Sequence, residues 1–487
     1  MSSTLAPSTA RPRAATPTGT PAPAPTAAAP ATAPPTAAPA TAPPTAEQPL
    51  LPVVGADLAV PLLGGGRVRY VGLDYAATAP ALRTVADRIE RLLPFTGSVH
   101  RGAGLPSQAS SAAYEAARRT VHEAVGGRPE DVVVFTRNTT DATNLLARSV
   151  PPAAGDVITL DIEHHATLLP WRSTGHRCVP HAPTIEQTLE RLALALRTRR
   201  AALLAVTAAS NVTGELLPLD RIVALAHEHG TRVLIDGAQL LAHRTIDLST
   251  LHADYLAFSG HKLYAPYGAG VLVGRRDWLD AAPPYLAGGG AVRDVTLDGT
   301  VWAEAPARHE AGTPNLLGAV AIAEALRTLA ASDGIAAHEE TLRRRLVDGL
   351  AGLDGVRPLR IWRDAPDAIG VVAFTVDGFA PGHVGAFLSA EHGIGIRDGR
   401  FCAHPLLARL GLPEGALRAS FGVGSRAADV DRLVEAVRCL TTVGPRHRYA
   451  AGPAGWAPVD DDRDLDGWLA GTADAVAELP PSPCATG

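Results

Sequence analysis

Between about residues 68 and 440 the chain alternates short runs that are apolar throughout with longer stretches that are apolar on one face. Val132-Val133-Val134-Phe135, Val157-Ile158-Thr159-Leu160, Leu203-Leu204-Ala205-Val206, Val233-Leu234-Ile235, Leu256-Ala257-Phe258 and Gly270-Val271-Leu272-Val273 are of the first kind. Such runs read as strands buried on both faces, as in a parallel sheet covered by helices. The second kind includes 112–125, where Tyr114, Ala117, Val121 and Val125 recur at helical spacing and Gly126-Gly127 ends the pattern, and 219–229, ended by Gly230. A smaller set follows: helix 335–353, strand 369–376, helix 382–392, strand 417–421 and helix 427–440. The alternation predicts an α/β fold, with a large, mostly parallel sheet carrying helices on both faces and then a smaller C-terminal α/β domain. The expected boundaries are 53–325 for the large domain with its N-terminal segment, and 326–445 for the small one.

The flanks differ in composition. Residues 1–52 are almost entirely Ala, Pro and Thr, with near-repeats at 31–37 and 40–46, and are expected to be a disordered tail because they carry too little large apolar surface to offset their ordering entropy. They lack the apolar core of a signal peptide, and a transit peptide is the weaker alternative because only Arg11 and Arg13 supply positive charge. Residues 446–487, with Asp460-Asp461-Asp462 and a Pro-rich end, read as an acidic extension, part of which is expected to dock through Trp456 and Trp468. A net charge of −5 with 19% charged residues gives no nucleic-acid footprint. The apolar stretch 189–208 is interrupted by Arg191, Arg197, Arg199 and Arg200, so no membrane span is expected. Four cysteines without paired spacing argue against a disulfide framework or a metal site and suit a cytoplasmic protein. Of these, Cys178 and Cys439 are expected to be packing residues.

The chemistry begins at Lys262. It directly follows a buried strand in Leu256-Ala257-Phe258-Ser259-Gly260-His261-Lys262, where partial desolvation lowers an amine's pKa and equips it to form a Schiff base with an aldehyde cofactor, pyridoxal phosphate being the candidate. A surface lysine past a strand end is the plain alternative. Upstream, Arg232-Val233-Leu234-Ile235-Asp236 ends another buried strand in a carboxylate that suits a protonated pyridine nitrogen, or simply caps the next helix. Both groups stand at carboxyl ends of strands, where open α/β sheets hold ligands. Thr139-Thr140-Asp141 follows the strand 132–135 and opens helix 141–148, a phosphate cradle or an ordinary cap. Ser259 and His261 offer further phosphate contacts.

Eight motifs occur in order: Leu73-Asp74-Tyr75-Ala76-Ala77-Thr78, Val99-His100-Arg101-Gly102, Thr136-Arg137-Asn138-Thr139-Thr140, Glu163-His164-His165-Ala166, Ser210-Asn211-Val212-Thr213-Gly214, Asp236-Gly237-Ala238-Gln239, Ser259-Gly260-His261-Lys262 and Glu310-Ala311-Gly312-Thr313-Pro314-Asn315. Together they resemble the class V aminotransferase fold (fold type I of the pyridoxal-phosphate enzymes), and within it the cysteine desulfurase and selenocysteine lyase branch of the SufS type. The resemblance covers roughly 68–440. It implies that Lys262 is the Schiff-base lysine, Asp236 the partner of the pyridine nitrogen, and His164 the ring that stacks on the cofactor. Gln239 and Asn211 would bond the cofactor's phenolic oxygen. Thr139, Thr140, Ser259 and His261 would hold the phosphate, with Thr313 arriving from the second subunit of a homodimer. Cys402, in Arg397-Asp398-Gly399-Arg400-Phe401-Cys402-Ala403-His404, would be the sulfur-accepting nucleophile, and Arg397, Arg400 and His404 would favour its thiolate. Arg418 would grip the substrate α-carboxylate, a task for a planar two-pronged donor, with Arg397, Asn211 and His100 also on the substrate side.

The departures are specific. Asp398-Gly399-Arg400-Phe401 stands where the family commonly has Thr-Gly-His-His, Asn138 replaces a usual glycine, and His309 a usual phenylalanine. The expected activity is a desulfurase that converts L-cysteine to L-alanine with sulfur left on Cys402 as a persulfide, and then passes to an acceptor protein. Selenocysteine lyase, another C–S lyase, a class V aminotransferase of secondary metabolism, and a scaffold that binds pyridoxal phosphate structurally are the rival readings.

Overall fold

A computed structural model describes residues 46–173 and 175–470. Residues 1–45 of the Ala/Pro/Thr tail, and Cys484, lie outside them; residues 46–52, expected to belong to the disordered tail, instead pack on the body, with Ala46 O accepting from Ala427 N and Leu51 N donating to Val423 O. Seven strands build the large sheet: β1 (Asp131–Thr136), β2 (Asp156–Leu160), β3 (His176–Val179), β4 (Ala201–Thr207), β5 (Arg232–Asp236), β6 (Tyr255–Ser259) and β7 (Gly270–Arg275), in the order β1-β7-β6-β5-β4-β2-β3. From β6 through β3 every pair is parallel, while β7 runs antiparallel to both β6 and β1. The reversal has a simple cause. A parallel return needs a crossover of roughly a dozen residues or more, and only 260–269, the turn that holds Lys262, separate β6 from β7.

Alternate residues of each strand enter different cores, as a period of two requires. Val133, Leu204, Val233, Leu256, Phe258 and Val271 pack on one face. Val132, Val134, Leu203, Leu234, Ala257 and Leu272 pack on the other. The helix expected from residue 112 starts earlier, spanning Leu105–Ala124, because its first turns bury Ser107 and Ser110 and so carry no apolar signal. Helix α1 (Thr139–Ser149) also begins earlier than expected, with Asn138 as its N-cap accepting from Asp141 N at 2.9 Å. That bond gives the replacement of glycine at 138 a capping role. His309, the other replacement, is buried and fully used: Nε2 meets Leu279 O at 2.9 Å, and Nδ1 accepts from Tyr285 N at 3.2 Å.

The smaller sheet has four antiparallel strands, β8 (Val356–Pro358), β9 (Val371–Val376), β10 (Arg397–Gly399) and β11 (Ala416–Ser420), in the order β8-β9-β11-β10. Helices Ile335–Ala351, α2 (Pro381–His392) and Ala427–Thr442 share a core with it through Leu346, Phe374, Phe387, Leu417 and Leu433. Val71 and Leu73 belong to this same core, because Val71–Gly72 pairs with Ile394–Gly395. A hairpin follows, β12 (Tyr449–Gly452) and β13 (Gly455–Pro458), whose Trp456 lies on His383 of α2. Trp468 Nε1 donates to Ala59 O at 2.9 Å. Cys178 corrects an expectation: on the edge strand β3 it is exposed rather than packed.

Candidate active site

Three parallel strands end together: β4 in Thr207, β5 in Asp236 and β6 in Ser259. Their carboxyl ends, the N-terminus of α1 and the loop after β10 enclose a cavity of about 270 Å³. Lys262, Asp236, Gln239, His164, Asn211, Thr139, Thr140, Ser259, His261, Arg397, Cys402 and Arg418 all line it. Two expected residues do not. His100 is on an exposed loop, 3.1 Å from Glu115, and Thr313 is exposed on the loop that follows Glu310.

Lys262 is the single lysine among the 487 residues. Burial lowers its pKa to about 8, against the opposing pull of Asp236, with Arg418 assisting the drop. Asp236 is 4% exposed, with Oδ1 accepting from Ala238 N at 2.9 Å and Oδ2 from Thr167 Oγ1 at 2.6 Å. Those two bonds fix the carboxylate's orientation in a site where an unpaired charge would be costly. Beneath it, Glu163 is fully buried; burial first and Asp236 second push its carboxyl well above the usual range. His164 is driven down to about 3 by burial and Lys262, and His261 to about 4 by the same two causes, so both imidazoles are neutral at pH 7. His164 Nδ1 accepts from Ala166 N at 3.0 Å, which leaves its proton on Nε2. At the start of α1, Thr139 N and Thr139 Oγ1 both lie 2.7 Å from Ser259 Oγ, a cluster of hydroxyls at a helix N-terminus, whose dipole favours an anion.

The opposite wall comes from the smaller sheet. Arg418 of β11 is buried, donating from Nη1 to Asn211 O and from Nη2 to Asp74 Oδ1, each at 2.9 Å. Its Nε is buried without a hydrogen-bond partner among the described residues. Arg397 is its cross-strand neighbour, so two guanidiniums face one cavity. Burial lowers the pKa of Arg418, with Asp74 opposing. Cys402 and Phe401 both hold left-handed backbone, at φ +53° and +52°, a conformation that costs roughly 1–3 kcal/mol per non-glycine residue. The surrounding residues hold it in place. His165 N donates to Cys402 O at 2.9 Å, Asn211 Nδ2 donates to Phe401 O at 2.8 Å, and the Arg418 guanidinium lies 5.2 Å from the centre of the Phe401 ring.

Several of these partners were not singled out from sequence. Thr167 stands one position past the Glu163–Ala166 motif and Asp74 inside the first motif, so position was their only signal. Phe401 was noted as a departure, but its contact with Arg418 needs the strand pairing. Gln239 Nε2 donates to Ala76 O at 2.9 Å, so this amide also ties the first motif to the cavity.

The family model for class-V aminotransferases matches residues 71–433. The chain is 38% identical over 380 residues to the cysteine desulfurase CsdA of Escherichia coli, covering 75% of this chain and 93% of that protein. It is 36% identical over 381 residues to a probable cysteine desulfurase of Vibrio cholerae, covering 75% and 92%. A cysteine desulfurase of Synechococcus elongatus is 37% identical over 385 residues, and there the match takes in 76% of this chain but only 60% of the relative's length. Among solved structures, CsdA of E. coli superposes with a TM-score of 0.68 at 36% identity, covering 76% of this chain and 94% of that one. The apo cysteine desulfurase of Thermococcus onnurineus gives 0.71 at 33% identity, with the same coverage. With this much of the chain matched and the cavity built as described, the protein belongs to the class-V aminotransferases, a pyridoxal-phosphate-dependent family, and within them to the cysteine desulfurases.

Proposed function

We propose that the protein converts L-cysteine to L-alanine and leaves the sulfur on Cys402 as a persulfide. The observation that carries the reading is that Lys262, Arg418 and Cys402 line one small cavity. The residues fit pyridoxal phosphate: a buried amine for its aldehyde, a buried carboxylate for its ring nitrogen, a neutral imidazole for its face, and the Thr139–Ser259 cluster with Thr140 and His261 for its phosphate. Gln239 and Asn211 stand as donors for its phenolic oxygen. When bound there, the cofactor supplies an electron sink that makes the substrate's α-proton labile.

The chain's own residues supply the rest. Arg418 offers its unpaired Nε–H and its charge to the α-carboxylate, Arg397 adds a second guanidinium, and the amine of Lys262, neutral in part near pH 8, takes the α-proton. The Cys402 thiolate then attacks the substrate sulfur. A sulfur–sulfur bond forms, the sulfur–Cβ bond breaks with its electron pair going to Cβ, and a proton completes the methyl group of alanine. Cys402 is partly exposed, so the thiol of an acceptor protein reaches the persulfide. We further propose a homodimer in which Thr313 completes the partner's phosphate site, and a cytoplasmic location, where reducing conditions keep Cys402 a thiol. No helix among the described residues is long and apolar enough to cross a membrane.

The test is product analysis with L-cysteine. Alanine together with a persulfide on Cys402 supports the reading, and Cys402→Ala should abolish both. Pyruvate would point to β-elimination, and the sulfur-bearing keto acid 3-mercaptopyruvate to transamination. A second reading, action on selenocysteine, draws on Phe401 standing where an imidazole is common; it requires alanine from selenocysteine but not from cysteine.

A further inference from the structure

We propose that the C-terminal hairpin β12–β13 positions the Cys402 loop, acting through Trp456; the inference rests on Cys402 being the sulfur acceptor. The hairpin lies beyond residue 433, where the family match ends. Strand β10, which carries Arg397 and leads through Gly399 into Arg400-Phe401-Cys402, is at the edge of its sheet and, among the described residues, pairs only with β11. Its support on the outer side comes from α2. Gly382 and Gly385, three residues apart and so on one helix face, form a slot for the Asp398 side chain. A Cβ at Gly385 would lie 3.3 Å from Asp398 Oδ1, and one at Gly382 would lie 3.4 Å from Asp398 Oδ2.

Trp456 closes this slot. Its Cδ1 would be 2.8 Å from a Cβ at Gly382, and its ring stacks on His383 at 4.7 Å between centroids and 4° between planes. Tyr449 packs on the same imidazole at 5.2 Å and donates from its hydroxyl to Glu391 Oε1 at 3.1 Å, which ties the hairpin to the far end of α2 as well. Trp456 and Arg400 also share the wall of a groove of about 550 Å³ beside the loop. On its inner side the loop is held by Asn211 and His165 in its left-handed conformation. Its position is therefore set between the large sheet within and the hairpin-backed helix without. Trp456 touches no reacting atom and is a positioning residue.

The experiment uses the full-length holoenzyme with Trp456→Ala, Trp456→Phe and Gly382→Ala, the last displacing the indole or Asp398 while improving helix propensity. Displacing a reacting group by about 1 Å costs up to roughly a hundredfold in rate. Trp456→Ala should therefore lower kcat for alanine formation about tenfold or more. KM for L-cysteine should change by a smaller factor than kcat, because Asp74 and Asn211, not the hairpin, hold Arg418, while of the two guanidiniums only Arg397 rides on the hairpin-backed strand. Iodoacetamide modification of Cys402, followed by peptide mapping, should change rate by about threefold or more on the same grounds. Trp456→Phe, which keeps a ring on His383, should restore both, and Gly382→Ala should resemble Trp456→Ala. Wild-type kcat and Cys402 alkylation in either folded alanine variant, or no rescue by phenylalanine, overturns the proposal. Undiminished alanine release by Cys402→Ala would overturn the reaction reading instead, while the alkylation comparison would still report on the hairpin.

Discussion

Because Lys262 is the only lysine, its ionisation can be followed without interference from any other. A drop from the ordinary 10.5 to about 8 corresponds to roughly 3 kcal/mol of preference for the neutral amine. At pH 8 about half of the amine is then neutral, against about 0.3% for an unperturbed lysine. The neutral form adds to an aldehyde, so recombination of the apoprotein with pyridoxal phosphate should accelerate as pH rises through about 8. The perturbations have opposite signs. Asp236→Asn removes a charge that raises the pKa, so the midpoint should move lower; Arg418→Ala removes one that lowers it, so the midpoint should move up. Apoprotein labelled with ¹³C-lysine should give one lysine ε-carbon signal, whose chemical shift titrates with the amine. A midpoint near 10.5, or both variants moving it in the same direction, would refute the account of a desolvated amine balanced between Asp236 and Arg418.

Three further outcomes are expected. Arg418→Ala should weaken L-alanine binding, read from the cofactor absorbance, by roughly ten- to a hundredfold, the equivalent of ~1.5–3 kcal/mol for charge-assisted bonds, with Arg418→Lys in between; equal affinities would remove Arg418 from the substrate site. Glu310→Ala should cost about 3–5 kcal/mol in urea unfolding, because this buried carboxylate accepts from Tyr114 Oη, both terminal nitrogens of Arg118 and Phe135 N, at 2.7–2.9 Å, and a loss under about 1 kcal/mol would contradict that. Deleting residues 1–52 should lower Tm by several degrees relative to deleting 1–45, because Ala46 O accepts from Ala427 N and Leu51 N donates to Val423 O; equal melting temperatures would show that these contacts contribute nothing.

Much of this molecule is written locally. Strands buried on both faces announce themselves as unbroken apolar runs, and β1, β2, β4, β5, β6 and β7 were all legible for that reason. The strand-end positions of Lys262 and Asp236 followed from the same runs, and motif order then supplied the fold and the family. Direction and partnership are a different kind of information. The apolar pattern of β7 is the same whether the strand runs parallel or antiparallel, and only the short path from β6 decides it. Val71 and Leu73 joined the smaller sheet's core through a pairing with residues more than three hundred positions away. The same distance separates Asp74 from Arg418, and about two hundred positions separate Asn211 from both Arg418 and the Phe401 carbonyl. Sequence thus determined which residue types stand at the strand ends, because burial and periodicity act over a few neighbours. The tertiary structure decided which of them share a cavity, how Lys262 is desolvated and what holds Cys402 in place, because those effects arise only between segments that the folded chain brings together.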